Sequence, residues 1–143
     1  MSNEAWQITS PGVLTLKAIG PVPRPGPKEA LVRINAVSLN SRDQLVMEHN
    51  PAYPLRTKAN LIPCSDGAGI VEESGPHSIW KQGDRVVIHP NNWKHGSDGR
   101  DFKFDTAMGG GVIDGTLRRY LVASDDSIFR APNGLTMEEA STL

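Results

Sequence analysis

The sequence predicts a mainly β domain, folded as a barrel or a sandwich, with one or two short helices. Short segments rich in apolar residues recur along the chain and are separated by glycine and proline, which number 14 and 11 in 143 residues. Apolar residues make up 38% of the chain, so one core of moderate size and a single domain over residues 1–143 are expected. This pattern is typical of a barrel or a sandwich, because strands outnumber helices and turn residues punctuate them.

Five segments are predicted to be strands. In residues 30–37, Val32 and Ile34 fall on one face and Arg33 on the other. The four prolines in residues 20–28 predict a loop, because proline cannot donate to a strand ladder. The other four predicted strands lie at residues 68–74, 84–90, 116–124 and 127–132.

Two helices are predicted from capping boxes, in which a hydroxyl residue is followed three positions later by a glutamine or glutamate. Ser41 precedes Gln44 in this way, and Thr136 precedes Glu139. Few residues follow the second start signal, and such a short helix is marginal alone. We therefore expect the chain to end at a truncation or a module boundary.

Charge and hydropathy exclude several classes of protein. The net charge is −1, which favours neither nucleic acid nor an anionic membrane as a partner. No apolar run approaches the roughly 20 residues that a membrane helix needs. The first ten residues lack the features of a signal peptide, and the single cysteine suits a reducing compartment, so a cytoplasmic location is expected.

The candidate metal ligands and nucleophile of the chain give weak signals. The histidines at positions 49, 77, 89 and 95 and Cys64 show no paired short spacing, so no zinc site is predicted. Cys64 has Asp66 nearby and no group that would lower the pKa of its thiol. Cys64 is therefore predicted to be a packing residue.

A glycine-rich segment at residues 109–115 resembles a phosphate loop only loosely. It lacks the G-x-G-x-x-G spacing and leads into a predicted strand, so we interpret it as a flexible turn. It closes a long polar segment, residues 91–115, of the kind that is often functional or mobile. Because no βαβ unit is present, the chain has no dinucleotide-binding half of its own.

Four sequence segments follow one another along the chain: LVRINAVSLNSRD, IPCSDGAGIVEESG, QGDRVVIHP and DGTLRRYLVAS. Together they resemble the N-terminal, GroES-like domain of the medium-chain dehydrogenase/reductase superfamily, over nearly the whole chain. The resemblance implies a GroES-like partly open β-barrel with one or two short helices. It also implies NAD(P)H as the cofactor of the complete enzyme, held by a Rossmann domain that is absent here, since the chain stops near the entry helix of that domain.

The departures from the family pattern concern its zinc ligands. Where zinc-dependent members have a ligand cysteine and a ligand histidine, this chain has Asn40 and Ser65, and Cys64 takes the place of a glycine. The cysteine quartet of the structural zinc is also missing. The resemblance therefore points to the zinc-independent, quinone oxidoreductase-like branch.

The same resemblance suggests site residues. Asn40 and Tyr53 are expected to line the nicotinamide and substrate pocket, and Asp43 and Asp66 to support it by hydrogen bonds. For the two acids, a simple helix-end charge and a strand-end cap are equally good readings. The proton-relay hydroxyl of zinc members falls at Arg42, so that relay is not carried over, and no catalytic residue is assigned.

The expected function is that of the substrate-side domain of a zinc-independent NAD(P)H-dependent oxidoreductase, which reduces a carbonyl or a conjugated alkene and is incomplete alone. Its partners would be a small-molecule substrate and the missing Rossmann domain, and a homodimer is compatible with the resemblance. The alternative is a catalytically silent GroES-like binding module. A relative of the chaperonin caps is a third reading, which the dehydrogenase-like segments disfavour.

Overall fold

The structure is a computed structural model, and it describes residues 1–90 and 98–143. The described residues form seven strands and two short α-helices, which confirms the predicted mainly β class. In chain order these are β1 Ser2–Ser10, β2 Val13–Pro21, β3 Glu29–Ser38, α1 Ser41–Met47, β4 Asp66–Ser74, β5 Arg85–Ile88, β6 Tyr120–Ser124, β7 Ile128–Arg130 and α2 Met137–Ala140. His95, one of the four histidines considered as metal ligands, lies outside the described residues.

The main sheet is antiparallel and five-stranded, with the order β6-β3-β4-β5-β7. Its central pair, β3 and β4, contains two register shifts, between Leu31 and Val32 and between Ile34 and Ala36. Bulges of this kind bend a strand and increase its twist, so the sheet curls instead of lying flat. The curled sheet and the two short helices agree with the expected GroES-like, partly open barrel.

A hairpin of β1 and β2 lies beside the start of β6, and the sequence analysis missed it. Gly12, with a φ of +76°, supplies the left-handed residue of its tight turn. Asn3 joins the hairpin to β6, because its side-chain N–H donates to the Tyr120 carbonyl and its side-chain oxygen accepts from the Tyr120 N–H, both at 3.0 Å. The Trp6 N–H donates to the carbonyl of Leu117 at 3.0 Å.

The predicted strand segments each contain a strand, but their bounds differ. The first two are longer than predicted, and β5, β6 and β7 are shorter. In particular, β6 begins at Tyr120 and not at residue 116, because residues 116–119 bond to the hairpin and to Pro63 and Cys64. Strand β2 also extends through Pro21, into the segment predicted to be a loop. Because Pro21 is the last residue of the strand, its missing N–H removes no hydrogen bond from the ladder.

Both helix starts agree with the predicted regions, although one cap is assigned differently. The N-cap of α1 is Asn40, not Ser41, and its backbone N–H donates to the Asp43 carboxylate at 2.8 Å. The box at α2 is confirmed, since Thr136 Oγ1 accepts from the Glu139 N–H at 3.1 Å and Glu139 Oε2 accepts from the Thr136 N–H at 2.8 Å.

The largest core cluster lies on one face of the five-stranded sheet. Its buried members are Ala30, Val32, Val71, Trp80, Val86, Ile88, Leu121, Ala123 and Ile128. A second cluster packs α2 on the sheet through Ala68 and Ala140, and a third packs α1 on the hairpin through Val46 and Ile8. Within residues 1–90 and 98–143, no helix is long and apolar enough to cross a membrane.

Candidate functional site at the start of helix α1

The site is built where β3 ends and β4 begins. Ser38 pairs with Asp66 in the antiparallel ladder, so Asn40, two residues beyond Ser38, lies beside Asp66. The Asn40 side-chain N–H donates to Asp66 Oδ2. Ser65, which is buried, donates its hydroxyl to the same carboxylate oxygen at 2.7 Å. The structure therefore brings together Asn40, Ser65 and Asp66.

Asp43 lies on the other side of Asn40, inside the first turn of α1. Only 7% of Asp43 is exposed, and burial raises the pKa of its carboxyl group, opposed by its bond to the Asn40 N–H and by the nearby Arg42 charge. Arg42 Nη2 is 3.6 Å from Asp43 Oδ1, which is an ion pair without hydrogen-bond geometry. Both expected supporting acids are thus next to Asn40.

An apolar cavity of about 500 Å³ opens beside Asn40. Its walls come from the hairpin, the start of α1, the segment before β4 and the segment before β6. The lining residues are Leu14, Leu39, Asn40, Ser41, Asp43, Gln44, Met47, Pro63, Cys64 and Leu117. A mostly hydrophobic cavity with a few polar groups on one side is typical of a small-molecule site.

Tyr53 does not line this cavity. It borders a separate cavity of about 410 Å³, and its ring packs against the third core cluster. Its hydroxyl is buried without a hydrogen-bond partner, and burial raises the pKa of Tyr53, while the Arg42 charge lowers it and that of Asp43 raises it. The expected role of Tyr53 in binding the nicotinamide stays a prediction. The two charged residues that affect its pKa both lie in α1.

Arg42 is a candidate functional residue that the sequence reasoning set aside. Its Nε and Nη2 atoms are buried without hydrogen-bond partners, beside the unpartnered Oδ1 of Asp43. A cation in the first turn of a helix also opposes the helix dipole. A basic residue two positions after the N-cap is therefore unusual, and this is the sequence signal that could have identified Arg42.

Cys64 is confirmed as a packing residue. It is 2% exposed, and burial raises the pKa of its thiol to about 12, with Asp43 as the next contribution. Its φ is +70°, a left-handed conformation that glycine adopts without strain. This conformation would suit the glycine that the family pattern implies at this position.

The thiol of Cys64 is expected to resist alkylation in the native state. At pH 8 the raised pKa leaves the thiolate roughly a thousandfold rarer than for an ordinary cysteine. Iodoacetamide labelling followed by mass spectrometry reports this one site, because the chain has a single cysteine. Labelling in urea is the control, and equal rates in native and unfolded protein would contradict the burial.

The raised pKa of the Cys64 thiol also makes the stability of the folded chain depend on pH. The folded state holds the thiol proton more tightly than the unfolded state does, so the associated stabilisation is complete below about pH 9. It is lost as the pH rises from there towards 12.

The glycine-rich segment 109–115 is not the flexible turn that was expected. Gly109 and Gly115 are buried against the backbone of Pro63 and Cys64, and a Cβ on Gly115 would lie 1.8 Å from the Cys64 carbonyl oxygen. The N–H of Gly115 donates to the Ile62 carbonyl at 2.7 Å. These glycines allow two backbone segments to touch, and so they fix the wall of the cavity.

The donors around Asn40 do not suit zinc. They are an amide, a hydroxyl, two carboxylates and a single buried thiol, with no imidazole among the described groups, whereas protein zinc sites use thiolates and imidazoles above all. In the part of the chain that the structure describes, no three histidine, cysteine or acidic side chains are grouped to hold a metal ion.

Comparison with known proteins assigns the sequence to a family. The sequence pattern of the alcohol dehydrogenase GroES-like domain matches residues 26–133, which is most of the chain. The chain belongs to this family. It is therefore a GroES-like domain of the medium-chain dehydrogenase/reductase superfamily, as the resemblance implied.

Two curated relatives of this GroES-like domain show the range of names in the family. It is 38% identical over 120 residues to a zinc-type alcohol dehydrogenase-like protein of Schizosaccharomyces pombe, a match that covers 82% of this chain and 33% of the relative. It is 27% identical over 139 residues to the quinone oxidoreductase of Mus musculus, covering 96% of this chain and 35% of that protein.

A solved structure shows the same fold. A crystal structure of an NAD-dependent alcohol dehydrogenase matches with a TM-score of 0.77 and 29% identity, covering 98% of this chain and 43% of the other. The GroES-like domain described here thus spans about a third of the length of the curated relatives that it matches.

Proposed function

We propose that this GroES-like domain is the substrate-side domain of a zinc-independent, NAD(P)H-dependent oxidoreductase that reduces a carbonyl or a conjugated alkene. The observation that carries the proposal is the Asn40 amide, bound to Asp66 at the edge of an apolar cavity of about 500 Å³. The oxidoreductase class is supported by the relatives. The absence of zinc is supported by the donor set around Asn40.

The residues beside Asn40 fit a nicotinamide and an apolar substrate. Leu14, Leu39 and Leu117 provide an apolar wall for a flat ring, and Asn40 provides a polar group at its edge. When bound, the nicotinamide supplies a hydride to the substrate. Which of the two nicotinamide cofactors is used depends on a residue outside this domain.

Asn40 would act as a hydrogen-bond donor during the reduction. Negative charge develops on the carbonyl oxygen as its carbon, or the alkene conjugated to it, accepts hydride, and a positioned N–H stabilises that charge. Asn40 is exposed in this chain, so bound substrate and cofactor would have to exclude water from it, which would strengthen the hydrogen bond. Ser65 and Asp43 remain buried behind Asn40 and hold the loop in place.

The proposal includes the partners expected from the resemblance. A Rossmann domain would complete the cofactor cleft, because a bound pyrophosphate needs the N-terminus of a helix in that domain. A small-molecule substrate, a homodimer and a cytoplasmic setting belong to the same proposal. The length of the relatives, about three times that of this chain, supports the need for a second domain.

Titration of the chain with NADPH tests the proposal. We expect the NADPH emission to shift to the blue at millimolar cofactor, and the change to shrink in Asn40→Ala. Asn133→Ala, which alters an exposed asparagine in the turn before α2, is the matched control and should behave as the unaltered chain. No emission change at millimolar NADPH, either with this chain or with this chain joined to the Rossmann domain of a relative, would favour the silent binding module instead.

Elemental analysis of the purified protein tests the zinc part separately. We expect no stoichiometric metal after purification without chelators, because the groups around Asn40 that the structure describes include only one thiol and no imidazole. One zinc per chain would contradict the proposed branch while leaving the oxidoreductase class intact.

A further inference from the structure

We propose that Asp66 is a positioning residue that fixes the orientation of the Asn40 amide, so that the site takes a ligand group that accepts a hydrogen bond. This inference rests on the proposed function and names the residue that makes Asn40 a hydrogen-bond donor to the substrate. It selects ketones and aldehydes, and alkenes conjugated to a carbonyl, over isolated alkenes and over groups that only donate.

The chemistry of the two side chains determines the orientation of the amide. An ionised carboxylate only accepts hydrogen bonds, so the end of the Asn40 amide that touches Asp66 Oδ2 must be its NH₂ group. The Asp43 N–H donates to the Asn40 backbone carbonyl at 2.9 Å, and the Asn40 N–H donates to the Asp43 carboxylate at 2.8 Å, so the backbone that carries the amide is fixed. The contact with Asp66 then sets which end of the amide faces the cavity.

The second N–H of the same group is the one available to a ligand. Asn40 is exposed and lines the apolar cavity, and the described residues provide no acceptor for this second N–H. An amide without the Asp66 contact could rotate by 180° and present its oxygen instead. Asp66 therefore decides whether the cavity offers a donor or an acceptor.

Asp66 is itself held in place from several directions. Ser65 donates its hydroxyl to Asp66 Oδ2 at 2.7 Å, and Thr116 donates its hydroxyl to the Asp66 backbone oxygen at 3.0 Å. Asp66 also pairs with Ser38 in the ladder between β3 and β4. Both hydroxyl residues are buried, so the carboxylate has a fixed position on a rigid sheet.

The orientation can be measured by NMR without cofactor or activity. In ¹⁵N-labelled chain, the Asn40 NH₂ signals are identified by their loss in Asn40→Ala. We expect two well-separated proton shifts, the downfield one from the N–H bound to Asp66. In Asp66→Ala the two shifts should converge, and in Asp66→Glu, which keeps a carboxylate, the separation should be partly restored.

Controls separate orientation from folding. Glu73→Ala removes an exposed carboxylate from the same strand, β4, and should leave the Asn40 signals unchanged. If Asp66→Ala fails to fold, Asp66→Asn replaces it; its neutral oxygen is a weaker acceptor, so the separation should narrow. Asn40 shifts that stay the same in the folded Asp66 variant would overturn the proposal.

A pair of small probes tests the ligand class. We expect 2-cyclohexen-1-one to perturb the free Asn40 N–H at lower concentration than cyclohexene, which has the ring but no hydrogen-bond acceptor, and the difference to shrink in Asp66→Ala. Equal binding of the ketone and the alkene to the unaltered chain would refute the donor assignment. Because neither measurement uses NADPH, a failure of the cofactor titration would be distinguishable from a failure of this inference.

Discussion

Replacing Gly115 by alanine is expected to lower the free energy of unfolding by about 3 kcal/mol or more. The new Cβ would lie 1.8 Å from the Cys64 carbonyl oxygen and 2.5 Å from that of Pro63. Both obstacles are backbone atoms, which cannot rotate away as the end of a side chain can. The segments must separate, and the bonds from Gly115 to Ile62 and from Thr116 to Cys64 weaken with them.

Thermal and urea unfolding of Gly115→Ala would measure this effect, with a loss of about 10 °C in Tm as the expected scale. Gly99→Ala is the matched control, because a Cβ there meets no atom within 4 Å and the backbone is not left-handed. It should change stability by less than about 0.5 kcal/mol. A Gly115→Ala protein as stable as the control would show that these two backbone segments do not touch.

Replacing Trp80 by alanine is expected to cost about 3–5 kcal/mol of stability. Trp80 is 8% exposed and fills the main core from the loop between β4 and β5. Its indole N–H donates to the Asp125 carbonyl at 3.2 Å, and the Arg130 guanidinium lies 5.5 Å from its ring centre. The substitution removes this packing, opens a cavity and leaves the carbonyl without its donor.

Two further variants, measured by urea unfolding, are references for the stability loss in Trp80→Ala. Trp80→Phe keeps an aromatic ring and loses only the N–H contact and some volume, so its loss should be less than half that of alanine. Trp6→Ala removes a side chain that is 42% exposed and should have a much smaller effect than Trp80→Ala. If Trp6→Ala were the more destabilising of the two, the main core would have been assigned to the wrong face.

The sequence was sufficient to predict those parts of the fold that depend on neighbouring residues. The α2 capping box and the alternation that places Val32 in the core are local patterns, and both agree with the structure. The N-cap of α1 was off by one residue because Asn40 and Ser41 are both good caps in isolation. Asp43 decides between them, since its carboxylate reaches the Asn40 N–H.

The features that the sequence analysis missed depend on residues far apart in the chain. Asn3 is a buried polar residue in β1 whose partner, Tyr120, lies 117 positions away, so the hairpin shows no clean alternation of apolar residues. Gly115 looks like a turn residue until Pro63 and Cys64 lie against it. At the site, the residue types suggested Asn40 and Asp66, but only the antiparallel register of β3 and β4 shows that they touch.

The double hydrogen bond between Asn3 and Tyr120 has a consequence for how the chain reaches its native state. It closes a loop of more than a hundred residues, so nearly all of the polypeptide must be available before the hairpin can join β6. Domains dominated by such distant contacts fold slowly, on a scale of milliseconds to seconds. The contact of the hairpin with α1, through Ile8 and Val46, can form earlier. The junction between β1 and β6 should therefore be among the last contacts to form, and the edge of β1 that faces β6 should stay exposed until residue 120 has been synthesised.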